Sequence, residues 1–450
     1  MRRVLRENAT CALLAIAGCF TTAWLSLYGP GWNDYEVEAR PAFEALVHGH
    51  VGEFLRLAPV YGGSLVERAP FALLPGIWSG GSLAVYRSVA VPCLLAAALL
   101  AVWLVARMRA AGRPRLDRAL VLILCVANPV TLTALELGHP EELLGGCMCV
   151  LALLLAAAPS VSIRRALAVG LLLGLAIANK EWALLALGPV LMALPPGRRA
   201  ICLAAAGAAA AAVLAPLLLG SGGSFSTSTN AVASAGSAIF QPWQVFWFFG
   251  HHGALVHGAL GNAKPGYRIG PSWAGTVSHP LIVLAGGALA MVLWTSTRGG
   301  RMTTQRALLA LTLILLARCL LDTWDALYYP LPFLIAMLAW ESGNPSKRPP
   351  LMTLMASALM WSSFHWLPEH VSPDLQSLIF LAWTLPLEAW LAVKLFAGPS
   401  PELGLRAQSR IRPAAQPITV NALDRRVSAS APPARTTTRS SIRTPSIPGR

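Results

Sequence analysis

Charged side chains are scarce in this sequence. Asp, Glu, Lys and Arg make up 12% of the 450 residues and hydrophobic residues 55%, whereas a soluble domain carries about 25% charged residues. That deficit excludes an ordinary water-soluble globule and makes lipid the main solvent. Cysteine-bearing polar loops are missing too. All eight cysteines (Cys11, Cys19, Cys93, Cys125, Cys147, Cys149, Cys202 and Cys319) fall inside apolar runs, so no disulfide framework is legible. Cys147 and Cys149 stand two apart on one run. On a helix they point to roughly opposite faces, cannot clasp one metal ion, and read as packing residues. Negative charge is the scarcer sign, with 20 Asp and Glu against 35 Lys and Arg and a net charge of +15. In a soluble chain that excess would suggest nucleic acid. Here the arginines sit in short loops between apolar runs, as membrane topology signals do, so nucleic acid drops out as a partner.

What is present is a series of apolar runs: 11–28, 83–106, 119–135, 143–158, 166–178, 182–195, 201–219, 280–296, 307–321, 326–340, 351–366 and 375–396. Most approach the roughly 20 residues that span a bilayer. The expected fold is all-α, a polytopic transmembrane bundle of about a dozen helices over residues 1–396, with large outer loops at 29–82 and 220–279. Gly170 and Gly174 make a small-xxx-small pair suited to close helix packing. Residues 397–450, rich in Pro, Ser, Thr and Arg, read as a disordered basic cytoplasmic tail, either solvated or drawn to anionic lipid.

Arginine gives the orientation. Alternate loops hold Arg2, Arg3, Arg6; Arg107, Arg109, Arg113, Arg115, Arg118; Arg164, Arg165; Arg198, Arg199; Arg298, Arg301, Arg306; and Lys347, Arg348. The opposite loops are far longer, yet hold only Arg40, Arg56, Arg68, Arg87, Lys180, Lys264 and Arg268. The positive-inside rule places both termini in the cytoplasm of a multi-pass plasma (inner) membrane protein. The basic Met1–Arg6 stretch would also suit a signal peptide, but the run after it is long and lacks a small-residue cleavage site.

With that orientation, most of the acidic residues gather on the outer side, many of them at tight helical turns. Asp34, Glu36 and Glu38 stand just beyond the first run, where Asn33 or Asp34 can also cap a following helix. After them Val37, Phe43, Ala45 and Leu46 are spaced to face the membrane surface as an interfacial helix. The second site is Glu136-Leu-Gly-His139-Pro-Glu141-Glu142. Pro140 favours a helix start with Glu141 and Glu142 in its first turn, where the helix dipole welcomes acids. His139 beside carboxylates suits proton transfer or a divalent cation. The third is Asn179-Lys180-Glu181-Trp182, between two runs too short for the roughly 30 Å hydrocarbon core. Lys180 and Glu181 are either a self-neutralising pair at a hairpin tip or cavity groups, and ionisable residues at such depth are functional candidates. In the loop at 220–279, Gln241 to Phe249 is dense in aromatics, as at a membrane interface. His251, His252 and His257 lack a zinc spacing. Lys264 and Arg268 are available to an anion. Arg318 and Asp322 stand one turn apart and are spaced to pair.

Taken together, an Asp outside the first helix, an interfacial helix after it and a Lys at a short outer turn resemble the GT-C superfamily of membrane glycosyltransferases, above all the polyprenol-phosphate-mannose-dependent bacterial mannosyltransferases. The stretch Asp34-Tyr…Ala39…Ala42…Leu46…Gly49 looks like that family's first outer loop. Gly170-Leu-Leu-Leu-Gly-Leu-Ala-Ile-Ala-Asn-Lys180 looks like its glycine-rich helix leading to a Lys. Gly138-His-Pro-Glu-Glu142 stands where the family has a Gly-Gln type turn. The likeness is best over residues 10–200. It implies a polyprenyl-phosphate sugar donor, a glycan or glycolipid acceptor, a membrane-lipid setting and an inverting transfer of a mannose-like hexose on the outer face. Asp34, with Glu36, Glu141 and Glu142 beside it, would supply the catalytic carboxylate. His139, Lys180, Glu181, Lys264, Arg268 and Arg318 would bind substrate. The other class sharing this pattern is a multi-pass transporter or flippase of a lipid-linked or anionic substrate. Such folds carry repeated halves around a midplane site, whereas this sequence has no visible repeat and keeps its ionisable residues at one face.

Overall fold

Among the described residues the apolar runs fold mainly as helix, and the polar and proline punctuation decides where the helices break. The computed structural model describes residues 2–26 (2–7 as backbone), 34–58, 62–78, 80–224, 226–227, 240–252, 266–344 and 348–397. Lys264, His257 and the basic tail from residue 398 onward lie outside the described residues. Helix α1 (Arg2–Ser26) precedes a π-helical turn (Tyr35–Ala39), α2 (Arg40–Val47), α3 (Val51–Leu57) and α4 (Gly62–Ala72). Then come α5 (Ser82–Ala110), α6 (Arg115–Val126), α7 (Pro129–Leu137), α8 (Pro140–Ala156), α9 (Ile163–Asn179), a 3-10 stretch (Glu181–Ala186), α10 (Leu187–Ala193) and α11 (Arg199–Gly220). The rest comprises α12 (Ser272–Ser296), α13 (Thr304–Leu321), α14 (Leu331–Ser342), α15 (Leu351–Trp361), α16 (Leu367–His370) and α17 (Pro373–Phe396). A two-residue ladder, β1 (His251–His252) against β2 (Arg268–Ile269), closes part of the loop before α12. Among the described residues, seven helical spans are long and apolar enough to cross a membrane. The fold is an all-α polytopic bundle.

Local chemistry explains several breaks. The run at 119–135 divides at Asn128, whose side chain accepts from the Val130 backbone N–H (2.9 Å), while Pro129 opens the next helix. Asn128 Nδ2 also donates to Ser357 Oγ (2.8 Å), which fixes the break against α15. Helices α8 and α14 are apolar all round and nearly every residue in them is buried, as expected of helices with no lipid face. That central position carries the acidic N-terminus of α8 into the protein interior. The glycines of α9 serve close packing. A Cβ on Gly170 would lie 2.4 Å from the Cys202 carbonyl oxygen, and one on Gly174 2.3 Å from that of Ala206. Only the missing side chains let α9 and α11 approach so closely.

The two ends of the bundle differ in charge. At one end arginines stitch helix-terminal and loop carbonyls together. Arg301 donates to Ala193 O (2.8 Å) and Ala156 O (3.0 Å), and Arg199 to Leu191 O (2.9 Å) and Gly300 O (2.7 Å). The bonds to helix ends satisfy acceptors that those ends leave open. The other end collects the acidic side chains.

One sequence expectation is corrected here. Of the four residues read as facing the membrane surface, Val37 is 59% exposed, but Phe43 and Ala45 are buried and Leu46 half-buried. Phe43 stacks with Tyr35 (6.4 Å between centroids) and Phe54 (6.3 Å). The π-helical turn is the reason. Its extra residue per turn rotates α2 relative to a continuous α-helix, so the apolar side faces the protein.

Candidate active site

The acidic end holds a buried ionic cluster built from five separate parts of the chain, around Asp34, Arg68, His139–Glu142, Lys180 and Arg318. Asp34 opens the π-helical turn, but its side chain makes no cap hydrogen bond. Its carboxylate instead accepts from His139, with Nε2 to Oδ2 at 3.0 Å. His139 lies between α7 and α8, where Gly138 takes a left-handed conformation (φ +99°) and turns the chain sharply. The other ring nitrogen, Nδ1, donates to Glu141 Oε1 at 2.7 Å. The ring packs on Tyr328, with 3.8 Å between centroids. His139 therefore bridges two carboxylates from different elements and is clamped in plane.

Glu141 and Glu142 enter from the first turn of α8. Glu141 is buried and shared among three cationic groups: His139, Arg68 Nη2 at 3.3 Å and Lys180 Nζ at 3.4 Å. A buried carboxylate needs such partners to offset lost hydration. Asn179 fixes the turn by donating from Nδ2 to the Glu141 carbonyl (2.9 Å). Glu142 lies 3.6 Å from Lys180 Nζ and 3.7 Å from Arg318 Nη1. The Arg318 guanidinium rests over the rings of Tyr329 (4.3 Å) and Trp182 (5.1 Å).

Of these groups His139, Glu142, Lys180 and Arg318 line a cavity of about 420 Å³, and Asp34, Arg68 and Glu141 stand behind that lining. Its lining includes the polar Glu38, His139, Glu142, Lys180, Glu181, His279, Arg318 and Asp322 and the apolar Ile177, Leu184, Leu185, Leu214, Ile282 and Val283. Leu184 and Val283 are exposed on the flank of the bundle. Two protonation states are set by this environment. Burial pushes the Glu38 carboxyl up to about 7, against the pull of His139. Burial alone would lower His139, but Glu141 and Asp34 override it and raise the ring to about 9. His139 is then an imidazolium at neutral pH and donates to both neighbours. Among the described residues, Asp34, Glu38 and His139 each present a ligand atom, all within 4.8 Å of one another, and they could share a divalent cation only once His139 gives up its Nε2 proton.

The structure thus gathers Asp34, His139, Glu141, Glu142, Lys180 and Arg318 from positions up to 284 residues apart in sequence, and Glu181 lines the same cavity. Others differ from expectation. Glu36 pairs with Arg40 (2.5 Å), which also holds Glu44. Arg268, read as open to an anion, is held by Asp374 (2.7 and 2.8 Å) and by the Gly250 carbonyl (2.8 Å). Arg318 reaches Glu142 instead of closing on Asp322, which faces His279 at 3.7 Å. Helical side chains lean toward the helix N-terminus, so a residue in the last turn points away from the C-cap position that Asp322 occupies. Arg68, His279 and Tyr328 were not singled out as site residues from sequence, and Trp182 was named only as the end of the third motif, without a role. For Arg68 a signal existed, because it is one of the few basic residues on the arginine-poor side and follows an acid, Glu67.

The sequence profile of glycosyltransferase family 87 matches residues 63–321, more than half of the chain. No curated protein and no solved structure matches it. The matched stretch runs from α4 to the end of α13. It contains Arg68, His139, Glu141, Glu142, Lys180 and Arg318, and Asp34 lies just ahead of it. With its polytopic helical bundle, the chain belongs to glycosyltransferase family 87 and is a membrane glycosyltransferase.

Proposed function

We propose that this protein moves a mannose-like hexose from a polyprenyl-phosphate sugar to a hydroxyl of a glycan or glycolipid acceptor, with inversion, at the outer face of the plasma membrane. The observation that carries the reading is a cavity lined by both cations and apolar side chains. Its cations, Lys180 and Arg318, suit a lipid phosphate, and its apolar lining includes flank residues where a prenyl chain would pass into the bilayer. Asp34 is the base that takes the acceptor proton as the hydroxyl oxygen attacks the anomeric carbon. His139 positions that carboxylate. As the bond to the phosphate oxygen breaks, Lys180 and Arg318 stabilise the departing negative charge. A single displacement of this kind inverts the anomeric centre.

The test is direct. Purified protein in lipid should transfer labelled sugar from a polyprenyl-phosphate sugar to a membrane-extract acceptor, and not from a nucleotide sugar. Transfer from nucleotide sugars alone would refute the donor assignment.

The orientation is part of this reading. The arginine-stitched end belongs in the cytoplasm and the acidic end outside. All eight native cysteines are buried, so a single introduced thiol reports cleanly. Ser226→Cys, on an exposed residue after α11, should react in intact cells with a membrane-impermeant maleimide. Reaction only after permeabilisation would overturn the topology.

A further inference from the structure

Besides Glu38 Oε2, which lies 3.8 Å from His139, two polar groups of the cavity lining are left unanswered by the phosphate chemistry. Glu142 is 0% exposed and lines the cavity, yet neither carboxylate oxygen has a hydrogen-bond partner among the described residues. Lys180 and Arg318 balance its charge from 3.6 and 3.7 Å, beyond hydrogen-bond reach. Trp182 also lines the cavity and is buried, and its indole Nε1–H lacks an acceptor among the described residues. The Arg318 guanidinium lies over the Trp182 ring and beside Glu142, so the two orphans share one wall.

Buried polar groups of native proteins are nearly always hydrogen-bonded, and each exception calls for a cause. The two orphans are of opposite kind, and that selects the ligand. A phosphate only accepts, so it could answer Trp182 but not Glu142. An ammonium only donates, so it could answer Glu142 but not Trp182. A hydroxyl does both, and a ligand with several hydroxyls can answer both groups at once.

We infer that Glu142 and Trp182 read the hydroxyls of the transferred sugar, Glu142 accepting from them and Trp182 donating to one. The inference rests on the proposed sugar-donor reading and adds the residues that set its specificity. Lys180 and Arg318 thereby acquire a second role: their positive charges, 3.6 and 3.7 Å away, favour the carboxylate form of Glu142, which only accepts. A site built around hydrogen bonds to a hydroxyl discriminates strongly against an analogue lacking it, because its own groups are then left unpaired.

The experiment compares sugar donors deoxygenated in turn at each ring carbon that does not react. With the unaltered protein, at least one deoxy donor should lose about a hundredfold or more in kcat/KM. Glu142→Gln keeps the volume but exchanges one acceptor for a donor. It should lower kcat/KM for the full sugar and no longer distinguish that deoxy donor. Trp182→Phe should do the same for a second position while keeping a ring under Arg318. Binding gives an independent readout. The unaltered protein should bind the lipid-phosphate sugar more tightly than the bare lipid phosphate, and Glu142→Gln should shrink that difference. Equal use of every deoxy donor by a transferring enzyme would overturn the inference and leave the donor reading intact. Undiminished discrimination in Glu142→Gln would overturn it too, with water alone then occupying that wall. Failure to transfer from or bind any lipid-phosphate sugar would overturn the donor reading and this inference with it.

Discussion

Asp34→Asn should remain folded and membrane-inserted while turnover falls at least about a hundredfold. An acceptor hydroxyl is a poor nucleophile until its proton is taken, and a positioned base typically contributes 10²–10⁴-fold. Asn has nearly the volume of Asp and can still accept from His139 Nε2 through its carbonyl, but it cannot take a proton. Helix capping does not complicate the result, because the Asp34 side chain makes no cap hydrogen bond. The neighbours serve as controls. Glu36→Gln removes a surface carboxylate paired with Arg40 and should leave turnover within a few-fold of the unaltered protein. Glu141→Gln should damage folding instead, because it strips a buried counter-ion from Arg68, Lys180 and His139 together. Measured at matched membrane levels, undiminished transfer by Asp34→Asn would end the assignment. Glu38 would then be the base to test, since it faces the cavity and lies 3.8 Å from His139.

The membrane fold was largely legible in the sequence because lipid imposes a simple code. Among the described residues the apolar runs became mainly helix, and Gly170 and Gly174 marked a tight interface that α9 and α11 indeed form. Residues at helix ends were legible as a set for the same reason, since an ionisable side chain next to a short span has few places to go. What sequence spacing could not convey was direction. Arg318 and Asp322 had the right separation to pair, yet the backbone turns extended at Asp322 and the guanidinium leans back toward α8. The inward side of α2 depended on a π-helical turn that no pattern of apolar residues announces. Arg68 sits on α4 in an apolar setting. Its partner Glu141 is 73 positions further on, a pairing set by how α4 and α8 come together in the fold and not by any local motif.

Gly138→Ala should disable the enzyme almost as fully as loss of Asp34, without touching a charged group. Two independent constraints meet at this glycine. Its φ of +99° lies in the left-handed region, which costs an L-residue about 1–2 kcal/mol. The added Cβ would also stand 2.5 Å from Tyr35 N and 2.7 Å from Tyr35 Cβ, inside van der Waals contact. Tyr35 cannot yield easily, because it is buried and stacks on Tyr86 with 4.2 Å between centroids. The π-helical turn must therefore retreat, and Asp34, the residue before Tyr35, moves with it. A displacement near 1 Å at a reacting group can cost about a hundredfold in rate. Gly112 separates strain from displacement. It too has a positive φ, +70°, but a Cβ there meets nothing within 4 Å. Gly112→Ala should carry a similar backbone penalty at the arginine-rich end and leave transfer within a few-fold. If both variants lose activity equally, general destabilisation explains the loss. If Gly138→Ala transfers normally, the close approach of Tyr35 to the His139 turn is not what sets the position of Asp34.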